Sequence, residues 1–106
     1  METFTALADP TRRQIVEMLG QGEMSAGDIS RRFDMSAPAI SQHLKTLKSA
    51  HLVQVRVDAQ RRIYRLNPDG LQELEDWLAS VRRFWTPKLD ALEAELIKAA
   101  KKDQNP

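Results

Sequence analysis

Apolar positions recur at helical spacing as far as Leu47, alternate with polar ones over 53–66, and return to helical spacing from Leu71. Phe4 and Leu7 open a short apolar segment. Asp9-Pro10 predicts a helix start, because Asp is a good N-cap and Pro fits the first helical position, where no amide bond is lost. Ile15, Val16 and Leu19 supply that helix's buried stripe, and Gly20 and Gly22 end it. A short echo follows. Met24-Ser25-Ala26-Gly27-Asp28-Ile29-Ser30 is matched eleven residues on by Met35-Ser36-Ala37-Pro38-Ala39-Ile40-Ser41. This is too short for a solenoid repeat and fits one helix-start device used twice. Each Ser is the N-cap, each Met is a hydrophobic staple against the Ile five residues later, and Asp28 completes a capping box in the first copy.

Two helices are therefore expected from about Ser25 and Ser36, the first with Ile29 and Phe33 on one face, the second with Ile40, Leu44 and Leu47. A link of three or four residues through Asp34 makes the pair a helix-turn-helix. Val53, Val55 and Val57 then alternate with polar residues, and after Ala59-Gln60 the run Arg61–Leu66 predicts the second strand of a β-hairpin. The turn lacks the Asn-Gly or Asp-Gly that most hairpins prefer. The fold class is thus mostly α with a small β-hairpin, a winged helix-turn-helix.

Asn67-Pro68-Asp69-Gly70 reads as a turn in which Asn67 or Asp69 caps a long helical segment. Its apolar residues, Leu71, Leu74, Leu78, Val81, Trp85, Leu89, Leu92 and Leu96, are three or four apart, a heptad seam with one stutter. Pro87 inside it either kinks the helix or, with Thr86, caps and starts a new one. Residues 98–106 have no apolar face to bury and are expected to fray, leaving 1–97 as one domain.

The chain has 106 residues and no cysteine, which excludes disulfides, thiolate metal sites and thiol switches. Its start, Met1-Glu2-Thr3-Phe4, has neither the basic nor the apolar part of a signal peptide. No apolar run approaches the ~18 residues of a membrane span. A cytoplasmic protein without membrane contact is expected. A net charge of +1 hides an asymmetry: residues 31–65 carry eight Lys or Arg against two acids, while both flanks are acidic. A basic middle suits a phosphate backbone. There is no Cys nucleophile, no Gly-rich phosphate loop and no Glu-x-x-His pair, so no enzyme site and no cofactor are expected.

On a helical wheel the face opposite Ile40, Leu44 and Leu47 carries Pro38, Ser41, Gln42 and Lys45. Small and polar side chains there let a helix lie in a major groove, where Gln pairs with adenine, Lys donates to guanine and Ser serves either. These four are the expected base readers. Ser36, Thr46, Lys48, Arg56, Arg61 and Arg62 are the expected contacts to phosphate or minor groove, with Arg61 and Arg62 flanking the wing tip. Arg65 either joins them or pairs with Asp58 or an acid of the last helix. His43 lies about 60° from the centre of the buried face, a boundary residue hydrogen-bonded to backbone. His51 stands where the helix ends and a residue with φ > 0 is often needed, which His tolerates better than most.

Over about residues 3–97 the sequence resembles the ArsR/SmtB family of bacterial winged-helix repressors. The resemblance rests on Leu7-Ala8-Asp9-Pro10-Thr11-Arg12-Arg13, on Ile40-Ser41-Gln42-His43-Leu44-Lys45-Thr46-Leu47, and on Leu52-Val53 followed by Arg61-Arg62-Ile63-Tyr64-Arg65-Leu66. Two positions depart from it, His51 and Gln60, where the family usually has Gly. The resemblance implies a homodimer formed by the first and last helices and repression from a palindromic double-stranded operator. Phe4, Leu7, Leu78, Val81, Trp85, Leu89 and Leu92 are the residues expected in that interface. It also implies a branch that does not sense metals, because Ser25 and Gly27 stand where metal-sensing members carry Cys-x-Cys and the last segment has no His. Arg82-Arg83-Phe84-Trp85 resembles a subgroup of SdpR-type autorepressors. Two rival readings stay open: a winged helix that docks on another protein, and the antidote half of a toxin system.

Overall fold

A computed structural model of the chain describes residues 2–104. In chain order the elements are α1 (Glu2–Leu7), α2 (Pro10–Leu19), β1 (Met24–Ser25), α3 (Ala26–Arg31), α4 (Ala37–Ser49), β2 (Val53–Asp58), β3 (Arg61–Leu66) and α5 (Pro68–Gln104). Three helices start where the capping residues dictate. Asp9 Oδ1 accepts the Arg12 amide (3.1 Å), Ser25 Oγ the Asp28 amide (3.1 Å) and Ser36 Oγ the Ala39 amide (3.3 Å). The Arg12 amide's hydrogen bond holds the Asp9 carboxyl below its ordinary range, against partial desolvation. That cap is therefore kept at neutral pH and lost as pH falls through the depressed value.

The staple and the capping box differ from expectation. Met24 packs on the core, but Met35 is exposed and its sulfur accepts from the Thr11 hydroxyl (3.9 Å). The Asp28 carboxylate turns away from the cap to meet arginines, so the box has only its Ser25 half. Ser25 also belongs to an unexpected strand. Met24 pairs with Tyr64 and Ser25 with Ile63, which makes the wing a three-stranded sheet of order β1-β3-β2 rather than a lone hairpin. Two residues are too few for alternation to show.

The chain divides into two compact units, Met1–Leu74 and Glu75–Pro106. In the first, Ile15 and Leu19 of α2, Ile29 of α3, Ile40, Leu44 and Leu47 of α4, and Leu52, Val53 and Tyr64 of the wing form one core. Full burial of each such Leu or Ile stabilises the fold by ~1.5–3 kcal/mol. The second unit is the long arm of α5. This helix continues through Pro87, where a kink or a new start was open, and over 98–104, where a frayed tail was the expectation. The reason for the second is local: Lys98-Ala99-Ala100-Lys101-Lys102 is made of strong helix formers, and its cations suit a helix C-terminus. Residues 105–106 lie outside the described residues. No helix among the described residues is long and apolar enough to cross a membrane.

Two joints carry non-glycine residues in the left-handed region. After α4, the Leu52 amide donates to Leu47 O (3.0 Å) and the His51 amide to Lys48 O (3.0 Å), a Schellman closure with His51 at φ 60°. At the wing tip Asp58 pairs with Arg61, so Ala59-Gln60 is a two-residue turn, and Ala59 sits at φ 57°. A left-handed non-glycine residue is strained by ~1–2 kcal/mol, offset in part by the entropy a glycine adds to the unfolded chain. Ala59→Gly and His51→Gly are each expected to stabilise the protein, by about 0.5–1 kcal/mol and with the larger gain at Ala59. The midpoint of urea unfolding reads this directly, and a fall in midpoint for Ala59→Gly would show the strain is absent.

Candidate nucleic-acid interface

Helix α4 separates its two faces as its periodicity requires. Ile40, Leu44 and Leu47 are fully buried, while Pro38, Ser41, Gln42 and Lys45 are exposed on the other side. Among the six further residues expected near phosphate, Ser36 is engaged as the cap of α4. The Thr46 hydroxyl is engaged too, donating to Gln42 O (3.1 Å). Lys48 is exposed at the last turn, where a cation also suits the helix dipole.

Two arginines of α2 hold the end of α1, and one of them, Arg12, also reaches α4. Arg12 Nε donates to Ala6 O (2.6 Å), and one of its terminal nitrogens lies 3.3 Å from His43 Nδ1. Arg13 donates to Leu7 O (3.0 Å) and Ala8 O (3.3 Å). The two guanidinium groups thus satisfy the carbonyls that α1 leaves open at its end, and Arg12 links α1, α2 and α4. The partner of His43 is this guanidinium, where backbone was the expectation.

The wing arginines are not equivalent. Arg56 makes a two-pronged ion pair with Glu23 of the loop before β1: one terminal nitrogen lies 2.9 Å from Oε1 and the other bonds Oε2. Those hydrogen bonds hold the Glu23 carboxyl below its ordinary range and raise the Arg56 guanidinium above its own. Arg61 lies 3.8 Å from Asp28 Oδ2, and the other oxygen of that carboxylate pairs with Arg31. Arg65 makes no ion pair among the described residues. Its Nε donates to Gln54 Oε1 across the hairpin (3.0 Å). Arg62 is exposed and makes no ion pair among the described residues. The roles of Glu23, Asp28 and Arg12 had no signal in sequence, because their partners lie 31–33 residues away in the chain.

Of the apolar residues expected in an interface, Phe4 and Leu7 are half-buried on α1, with Leu7 packed on the core. Along the arm Val81 is half-buried, and Leu78, Trp85, Leu89 and Leu92 are 47–59% exposed. Phe84 and Trp85 meet edge to face at 5.2 Å, with the Lys88 ammonium 3.9 Å from the Phe84 ring centre. No group of three or more acidic or His side chains among the described residues is placed to hold a metal ion.

Comparison with known proteins fits this arrangement. Residues 9–55 match the family described as bacterial regulatory protein, arsR family. The chain is 47% identical over 94 residues to the HTH-type transcriptional regulator Rv2034 of Mycobacterium tuberculosis, covering 89% of this chain and 84% of that one. It is 43% identical over 75 residues to the transcriptional repressor SdpR of Bacillus subtilis, covering 71% and 83%. The solution structure of the homodimeric winged helix-turn-helix DNA-binding domain of Mb0332 from Mycobacterium bovis superposes with a TM-score of 0.62 at 32% identity, over 74% of this chain and 76% of that one. The chain therefore belongs to the arsR family of bacterial regulatory proteins, as a winged helix-turn-helix, DNA-binding transcriptional regulator and not an enzyme.

Proposed function

We propose that this regulator is a homodimeric repressor that reads a palindromic operator in the bacterial cytoplasm through Pro38, Ser41, Gln42 and Lys45 and responds to no metal. The observation that carries the reading is the exposed polar face of α4 backed by fully buried Ile40, Leu44 and Leu47. A helix held that firmly from behind presents its outer side chains at fixed positions, as direct base readout requires. Lys48 and the wing supply sequence-independent attraction. SdpR, similar over 71% of the chain, is a repressor, and the Mb0332 domain is a homodimer; both support the same assignment here. A twofold-symmetric protein matches a twofold-symmetric site with half-sites about one turn, ~10 bp, or a multiple apart.

Gln42 is the most informative residue. Gln42→Ala is expected to weaken binding to the preferred duplex by ~1–3 kcal/mol and to relax base preference at one position in each half-site. Fluorescence anisotropy on that duplex and its single-base variants reads both effects. An unchanged preference would remove Gln42 from the base-reading set.

A further inference from the structure

We infer that Glu23 and Asp28 are specificity-determining residues of the DNA interface: they hold Arg56 and Arg61 on the wing's outer face and leave Arg62 as the wing cation that meets DNA. The inference rests on the reading that the wing lies against DNA. Successive strand residues face opposite sides of a sheet, and the β2–β3 register sorts the wing accordingly. Val53, Val55, Val57, Arg62, Tyr64 and Leu66 share one face, and Gln54, Arg56, Asp58, Arg61, Ile63 and Arg65 the other. Val53, Val55, Tyr64 and Leu66 pack on or in the core, so the first face is turned to the body, while on the second Ile63 alone is buried. Arg62 extends that face at the tip, beside Val57, which is 72% exposed.

On the outer face two of the three arginines, Arg56 and Arg61, each meet an acid from another element, while Arg65 donates to Gln54. Glu23 takes both terminal nitrogens of Arg56, the same edge that a phosphate would take. Asp28 lies within 3.8 Å of Arg61 and also pairs with Arg31. Exposed ion pairs of this kind add little to stability, so their effect lies in what the arginines are kept from doing. Each free guanidinium on a phosphate adds about 0.9 to the slope of log affinity against log salt, whatever the base sequence. A wing with all its arginines free would bind every duplex more tightly and narrow the ratio of operator to random DNA. The two carboxylates compete with phosphate and keep that ratio wide.

The test compares the wild type with Glu23→Gln, Arg56→Ala, the double variant, Arg62→Ala and the charge-matched Glu17→Gln, an exposed acid of α2. Each binds the duplex preferred by the wild type and a scrambled one over 50–200 mM salt. Glu23→Gln is expected to tighten scrambled binding roughly tenfold at the low end and to steepen its salt slope by about two per dimer, one for each wing. Operator binding should gain less. Arg56→Ala alone should change scrambled binding less than about twofold, the double variant should lose the gain, and Arg62→Ala should flatten the slope. The inference is overturned if the gain survives in the double variant, if Glu17→Gln matches it, or if Arg56→Ala weakens scrambled binding as much as Arg62→Ala. A wild type that prefers no duplex would instead overturn the operator reading itself.

Discussion

Gly70→Ala is expected to destabilise the protein by roughly 3 kcal/mol or more, the upper end of what overpacking costs. A Cβ at this position would stand 2.2 Å from His51 O and 2.8 Å from its carbonyl carbon. Both are backbone atoms, held in the Schellman closure that ends α4, so neither can rotate away. On the other side the first turn of α5 is fixed by Asn67, whose Oδ1 accepts the Asp69 amide (3.1 Å) and whose own amide donates to Leu52 O (2.9 Å). The clash can be relieved only by shifting one helix end against the other. A loss of 3 kcal/mol corresponds to a fall in Tm on the order of 15 °C for a chain of this size. Gly27→Ala is the matching control. Its Cβ would meet nothing nearer than the Arg31 side chain at 3.9 Å. A helical Gly→Ala in open space is worth ~0.5–1 kcal/mol of added stability. Thermal unfolding followed by circular dichroism separates the two, and a Gly70→Ala protein as stable as the wild type would refute the close approach.

Gly70 also shows where reading the sequence stops. The run Asn67-Pro68-Asp69-Gly70 looks like a turn, and Asn67 does act as the cap. Yet Gly70 lies inside α5, and what requires it is a carbonyl nineteen positions earlier, which no local pattern records. The helix-turn-helix was legible because its signals are local: Ser25 and Ser36 bond amides three residues on, and Ile40, Leu44 and Leu47 fall on one side of a helix whatever surrounds it. The exposed set Pro38, Ser41, Gln42 and Lys45 followed from the same periodicity. The wing was legible as an alternation of Val53, Val55 and Val57, but not its third strand. Its charges are a different case. Arg56, Arg61 and Arg62 look alike in sequence and differ only in which acid the fold brings near them. Pro87 left open a kink or a new start, and the helix continues across it.

Trp85→Glu is expected to turn a dimer into a monomer. Leu78, Trp85, Leu89 and Leu92 of the arm are about half exposed, an apolar seam that a lone chain would leave in water. Burying such a side chain against a second copy is worth ~1.5–3 kcal/mol, and twofold symmetry counts each residue twice. Removing Trp85 from both copies and placing two carboxylates in the seam should therefore weaken association by roughly 3–6 kcal/mol, a hundredfold to ten-thousandfold in Kd. Trp85 lies in the second unit and not in the core of the first. The variant should thus keep its helical signal and its unfolding transition while sedimenting as a monomer at micromolar concentration. Operator affinity should fall with it, because one subunit then contacts one half-site. A wild type that sediments as a monomer at the same concentration would contradict the dimer.

The most direct measurement is selection of bound duplexes from a random pool by the wild-type protein, without any assumed operator. The exposed face of α4, presented twice by a symmetric dimer, should enrich an inverted repeat whose half-sites lie about one helical turn, ~10 bp, or a multiple apart. Enrichment of no sequence at all, or of a single site without twofold symmetry, would contradict the account.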